Sequence, residues 1–278
     1  MKLQEFIQRY DGRLTESDQR LVVALFANPA ESAFLSATEL ASRAGVHATT
    51  AVRLAKKLGF DGYSDLQKRL REERVEAHDA AERVRLRLDK MSDGAIMAAL
   101  IESEVRALRQ IPEHISPEQI DKAAEAIIGA SQVVLYGLGH STALVDLMGR
   151  RLRRSGLNTI QITHVGWETG EKLLEFGRGD VLLGFAFRWP HKGLSKVLEH
   201  AGSVGATSIL ISDLIGPTIR PVPDIVLAAS RGSLGESQSL TVPMAICNAI
   251  ILVIAQLDGG KSVESLARLA EVRKKFIE

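Results

Sequence analysis

The chain has 278 residues, of which 45% are hydrophobic and 25% charged, with a net charge of +1. That balance describes a globular protein and excludes a disordered, fibrous or uniformly basic one, so any nucleic-acid contact has to come from a local patch. The length favours two domains, each with a core of its own. Cys247 is the single cysteine, which rules out a disulfide within the chain; it lies in the apolar run 244–254 and reads as a buried structural thiol. The opening MKLQEFIQRY lacks the apolar stretch of a secretion signal. The longest apolar run, 242–255, is interrupted by Pro243 and Asn248 and falls short of a membrane span. A cytoplasmic protein without a membrane partner is expected.

In chain order, Thr15 reads as the N-cap of a first helix, with Asp18 as an acid in its first turn and Leu21, Val22, Leu25 and Phe26 as its buried stripe. Ser36-Ala37-Thr38-Glu39 is a capping box that opens a short helix, broken at Gly45-Val46. A second helix then runs through Leu58 to Gly59-Phe60. Two short helices joined by a glycine turn, behind a longer one, make a helix-turn-helix pattern. Between Glu39 and Asp61 there is no acid, whereas Arg43, Arg53, Lys56 and Lys57 are all present. Thr49, Thr50, Arg53, Lys56 and Lys57 are expected to share one polar face, with Leu54 and Leu58 turned inward. Short polar groups at the helix start suit base edges, and the later cations suit phosphates. A helical hairpin with solvated lysines is the alternative reading of the same residues.

The run from Leu35 to Tyr63 contains Leu35-Ser36-Ala37-Thr38-Glu39-Leu40-Ala41, then Gly45-Val46, then Arg53 and finally Leu58-Gly59-Phe60-Asp61-Gly62-Tyr63. It resembles the N-terminal domain of bacterial MurR/RpiR-type regulators, whose pattern runs roughly L-S-x-x-E-L-A, G-V-S-x-x-T-V-x-R and L-G-F-x-G-Y. The resemblance implies that double-stranded operator DNA is bound through Ser36, Arg43, His47, Thr49, Thr50, Arg53, Lys56 and Lys57. The sequence departs from the pattern at His47, where the family usually has a serine N-cap, and at Ala51-Val52.

Residues 65–90 are charged and rich in helix formers, which predicts an amphipathic linker helix, either a solvated face or an interdomain lever. Another helix is expected from Ser92 to about residue 110, and Ser116-Pro117-Glu118-Gln119 is a strong start for the next. The expected domains are therefore 1–75, a helical linker 76–115, and 116–278.

The C-terminal part begins with the apolar β-formers Val133, Val134, Leu135 and Tyr136, followed by Gly137-Leu138-Gly139-His140-Ser141-Thr142 and a helical repeat ending at Gly156. Strand, glycine loop and helix aim free N–H groups and a helix dipole at an anion, although an ordinary tight turn has the same residues. Strands are expected at 159–163, 180–187, 207–212 and 224–228, and helices at 168–176, 194–203 and 241–257. This alternation predicts a doubly wound parallel sheet behind the all-α domain, with ligands at the carboxyl ends of the strands. Those ends are residues 137–142, 164–168, 187–192 and 212–213. The third glycine of a dinucleotide fingerprint is replaced by Thr142, and no Walker lysine follows a strand, so neither NAD nor ATP is expected, and no other cofactor. His164 and Glu168 alone do not make a metal site.

Gly137-x-Gly139-x-Ser141 is similar to the first loop of SIS domains, a sugar-phosphate isomerase and binding fold that RpiR-type regulators carry behind their helix-turn-helix. The resemblance implies a sugar-phosphate site lined by Gly137, Gly139, His140, Ser141 and Thr142. The family's second phosphate loop is serine-rich, but here the matching run is Ala186-Phe187-Arg188-Trp189-Pro190-His191. Arg188, helped by His191 or Lys192, is a planar donor set for the same anion; the alternative is a loop that no longer binds phosphate. Glu236, in Gly235-Glu236-Ser237-Gln238-Ser239, stands near the place of the isomerases' catalytic base, or belongs to a polar loop ending in an N-cap. The function implied is a DNA-binding regulator, not an enzyme, controlled by a phosphorylated sugar and acting as a homodimer or homotetramer. The competing readings are an aldose–ketose isomerase and a DNA-binding protein whose SIS domain only oligomerises.

Overall fold

The computed structural model describes residues 3, 6–7, 10, 14–27, 32, 35–78, 96–187, 190–232 and 239–277. The chain divides into two units, residues 1–105 with 232–238, and residues 106–231 with 239–278. Residues 79–95, the second half of the expected linker helix and the start of the next, lie outside the described residues.

The first unit contains α1 (Glu16–Ala27), α2 (Ala37–Ala44), α3 (Ala48–Lys57), α4 (Tyr63–His78) and the larger part of α5 (Ile96–Arg109), whose last residues belong to the second unit. The starts of α1, α2 and α3 are side-chain capped, which supplies partners for N–H groups that the helix leaves open. Asp18 N–H donates to Thr15 Oγ1 at 3.3 Å while Thr15 N–H donates to Asp18 Oδ2 at 2.9 Å. Ser36 Oγ accepts from Glu39 N–H at 3.3 Å, and Glu39 Oε2 accepts from Ser36 N–H at 2.7 Å. Gly45, with φ of +63°, ends α2 in the left-handed conformation that a side chain would resist. Leu21, Leu25, Leu40, Leu54 and Leu66 are fully buried together, each stabilising the fold by roughly 1.5–3 kcal/mol. Tyr63 reaches over this core to donate to the carbonyl of Leu35 at 2.8 Å.

The second unit opens with α6 (Pro117–Ile128), capped by Ser116 and Gln119. It continues with β1 (Val133–Gly137), α7 (Thr142–Arg154), β2 (Thr159–Ile162), α8 (Trp167–Lys172), β3 (Val181–Ala186), α9 (Lys192–Val204), β4 (Thr207–Ser212), β5 (Ile225–Ala228), α10 (Thr241–Leu257) and α11 (Lys261–Ile277). The five strands are parallel in the order β2-β1-β3-β4-β5. β1 and β3 are buried along their whole length, which explains their unbroken apolar sequence. One face carries α6, α7 and α10 and the other carries α8 and α9. The fold is thus an all-α unit followed by a doubly wound α/β unit.

Strand β2 lies at the edge of the sheet. Gly149 of α7 lets it come close, since a Cβ there would sit 2.0 Å from Gln161 Nε2. From the other side Lys172 Nζ donates to the Gln161 carbonyl at 2.9 Å. The helix expected at 168–176 stops at Lys172, because Gly170 weakens it and Leu173 already leaves helical geometry. Cys247 is buried in α10, where burial pushes its thiol up to about 12. Among the described residues no single helix is long and apolar enough to cross a membrane.

Candidate functional site

In the first unit, α2 and α3 meet at Gly45, and α3 presents Thr49, Val52, Arg53 and Lys56 to solvent at spacings of three and four residues. This differs from the expected face at two positions. Thr50 is buried, and Lys57 turns back to Asp18, its Nζ 2.5 Å from Oδ2. Burial alone would raise the Asp18 carboxyl, but hydrogen bonds from Lys57 and Thr15 outweigh it and hold the group below its ordinary value. Thr50 and Lys57 therefore serve the packing of α3, and Val52 takes their place on the exposed face. A valine there offers a methyl contact of the kind that recognises thymine.

His47 is the N-cap of α3: its Nδ1 accepts from Thr49 N–H at 3.4 Å and lies 2.9 Å from Thr49 Oγ1. The Ser36 hydroxyl is committed to its own cap, 2.8 Å from Glu39 Oε2. Arg43 is exposed in the last turn of α2.

In the second unit the strand order reverses direction between β1 and β3, the switch point at which doubly wound sheets open a crevice at their carboxyl edge. Gly137 ends β1 there, and a Cβ on it would lie 2.9 Å from Val145 Cγ2 and 3.1 Å from the Ser141 carbonyl. Only glycine allows the chain to fold back this tightly. Gly139, with φ of +60°, and His140 are exposed, while Thr142 Oγ1 donates to the Gly139 carbonyl at 2.8 Å. Ser141, expected to line the site, is 7% exposed and packs beneath Gly137 instead.

The second wall is the start of α9. His191 is its N-cap and accepts from Gly193 N–H at 3.0 Å through Nδ1; Lys192 beside it is exposed. A Cβ on Gly193 would lie 2.8 Å from Val165 Cγ2 and 3.1 Å from the Tyr136 hydroxyl, so Gly193 keeps this corner open. The Tyr136 hydroxyl is buried without a hydrogen-bond partner among the described residues, and burial pushes it up to about 12. It is a neutral donor held next to the positive end of a helix dipole. Arg188 and Glu236 lie outside the described residues.

One buried cation at this edge escaped the sequence reading. Arg231, 7% exposed, follows β5, pairs with Asp213 Oδ2 at 3.3 Å after β4 and lies 4.5 Å over the Phe187 ring after β3. It also donates to the Ser239 carbonyl at 3.3 Å. Burial pulls its pKa down and Asp213 opposes that pull. Its only sequence signal was an arginine just beyond a short strand. His164 and Glu168, 2.6 Å apart, are both exposed, and the hydrogen bond from His164 lowers the Glu168 pKa. Among the described residues no three His, Cys, Asp or Glu side chains gather as a metal site.

Residues 1–76 match the family model for the helix-turn-helix domain, rpiR family. The bifunctional proteins glk of Paraburkholderia xenovorans LB400 and Burkholderia orbicola AU 1054 are each 24% identical over 234 residues. The alignment takes in 84% of this chain, which spans only 36% of the length of these relatives. Among solved structures, the sugar isomerase domain of an RpiR transcription factor from Sphaerobacter thermophilus is similar in fold with a TM-score of 0.59 and 22% identity, over 64% of this chain and 99% of that one. The Vibrio vulnificus NanR protein, complexed with ManNAc-6P, gives a TM-score of 0.61 and 16% identity over 99% of both chains. Residues 1–76 thus form a helix-turn-helix domain of the rpiR family, and the part of the chain behind it has the fold of a sugar isomerase (SIS) domain.

Proposed function

We propose that the protein is a transcriptional regulator whose binding to operator DNA is controlled by a phosphorylated sugar held at the carboxyl edge of the SIS sheet. The observation that carries the proposal is the pairing of an rpiR-family DNA-binding domain with a switch-point crevice suited to an anion. In this reading Thr49, Val52, Arg53 and Lys56 of α3 enter the major groove and Arg43 meets the backbone. The Gly137–Thr142 turn, Tyr136, and His191 and Lys192 at the α9 start surround the phosphorylated ligand, with Arg188 as an added fork. That NanR was solved with ManNAc-6P supports a phosphorylated sugar as the ligand class. The SIS unit is a sensor rather than a catalyst, because a DNA-binding domain gives ligand binding a use that isomerisation does not need. Two copies on a palindromic operator, acting in the cytoplasm where the chromosome is, complete the proposal.

Control of DNA binding requires the ligand to favour one arrangement of the protein over another. Fluorescence anisotropy on a fragment from the flanking promoter, with a panel of hexose and N-acetylhexosamine 6-phosphates, tests this directly. One member of the panel should change operator affinity by fivefold or more, a coupling of about 1 kcal/mol. Arg53→Ala should weaken binding and lower the slope of log affinity against log salt by about one. A panel in which no sugar phosphate shifts the affinity would refute the sensor; an unchanged Arg53→Ala would refute the placement of α3.

A further inference from the structure

Arginines converge on the opposite side of the SIS unit from the crevice. The last turns of α7 carry Arg150, Arg153 and Arg154 on one face, and Arg268 and Arg273 of α11 stand across from them. Together with Ser265 they line a groove of about 440 Å³, floored by Leu269 and Val272. Among the described residues no carboxylate lines it. Glu271, on the same helix, is engaged by Lys274 at 2.7 Å, and Arg153 donates to Thr159 Oγ1 at 3.1 Å. Among the described residues none of the five guanidinium groups is in an ion pair.

The groove is built by close packing. Gly156, with φ of +85°, turns the chain after α7, and a Cβ there would lie 3.2 Å from Ser265 Oγ. That contact sets α11 beside the arginine face of α7. Helix α7 starts at the carboxyl end of β1 and runs back along the sheet for thirteen residues, about 20 Å. The groove is therefore at the amino edge, remote from the proposed effector crevice, and does not rest on that reading.

Cations in a last helical turn do complement the dipole, but the dipole accounts only for the α7 residues. Arg268 lies in the middle of α11, where no helix end balances its charge, and lines the groove together with the α7 arginines. Five like charges brought together, without counter-charges among the described residues, repel, and an anion of high charge relieves this. Guanidinium forks bind phosphate oxygens in pairs. Five guanidinium groups contributed by two helices offer more donor pairs than the oxygens of one phosphate accept, which suits two phosphate groups on one small molecule. A volume of this size is that of a small-ligand site.

We propose that this groove is a second anion site, for a small molecule bearing two phosphate groups. Isothermal titration calorimetry of the full chain with fructose 1,6-bisphosphate and with inorganic pyrophosphate tests it, comparing the wild type with Arg268→Ala/Arg273→Ala. One saturable site should appear in the wild type and weaken at least tenfold in the double variant, with unchanged circular dichroism. If that variant does not fold, Arg150→Gln on the facing helix should give the same loss. Absence of saturable binding of either probe, or equal affinity in wild type and variants, overturns the proposal. So does loss of operator affinity or of oligomeric state in the variants without bisphosphate binding by the wild type, which would assign the groove to DNA or to a second copy.

Discussion

At the scale of single residues, Lys57 and Asp18 show how a charge that looks available is already spent. Lys57 lies in an acid-free stretch, and its partner stands 39 residues earlier on another helix, beyond the reach of any local pattern. Asp18 is fully buried, so removing Lys57 strands a carboxylate. Lys57→Met is expected to destabilise the N-terminal unit by about 3 kcal/mol, read from urea unfolding. The pH dependence has a definite sign. Because the folded state holds the Asp18 pKa below its ordinary 3.8, the pair stabilises above that value and its contribution is lost as the pH falls through the depressed one. The variant should lose this acid transition as well as stability. Thr50 escaped for a similar reason: a threonine at the start of a polar helix gives no sign of which way it points, and here it is buried.

At the scale of elements, helix starts were the most legible features, because capping is local chemistry. Ser36 with Glu39, Thr15 with Asp18 and Ser116 with Gln119 all carry the reciprocal bonds their spacing suggests. His47 is the weaker case: its Nδ1 accepts from Thr49 N–H at 3.4 Å, but histidine is not among the residues that cap helix starts best. His47→Ser is expected to stabilise α3 by about 0.5–1 kcal/mol, measured as a rise in melting temperature. The crevice was legible only in part. The Gly137 loop announced itself through its glycines, and the start of α9 through its place after an apolar strand. The Tyr136 hydroxyl and Arg231 did not, since each depends on side chains brought together from separate strands.

At the scale of the whole molecule, the alternation of strands and helices indicated a parallel sheet but not the order of its strands. The order places the switch point between β1 and β3, and with it the pairing of two loops that are some fifty residues apart. A ligand held there stabilises the SIS unit by mass action, roughly 2.7 kcal/mol at a hundredfold excess over its Kd. Differential scanning calorimetry with the sugar phosphate identified by anisotropy should show this as an upward shift of the transition belonging to residues 106–231 and 239–278. The same addition to Gly193→Ala, whose new methyl occupies the corner beside Tyr136, should give a smaller shift.

The sheet is open, and β2 is one of its two rims. An open rim of parallel strands is an invitation to a fourth party: any extended segment, from this chain or another, can extend the ladder and seed aggregates. The lysine from α8 that occupies the Gln161 carbonyl bars that route with a charge that an incoming strand would have to strip of its partner and bury. The same short helix that disappoints as a helix thus works as a guard of the open rim.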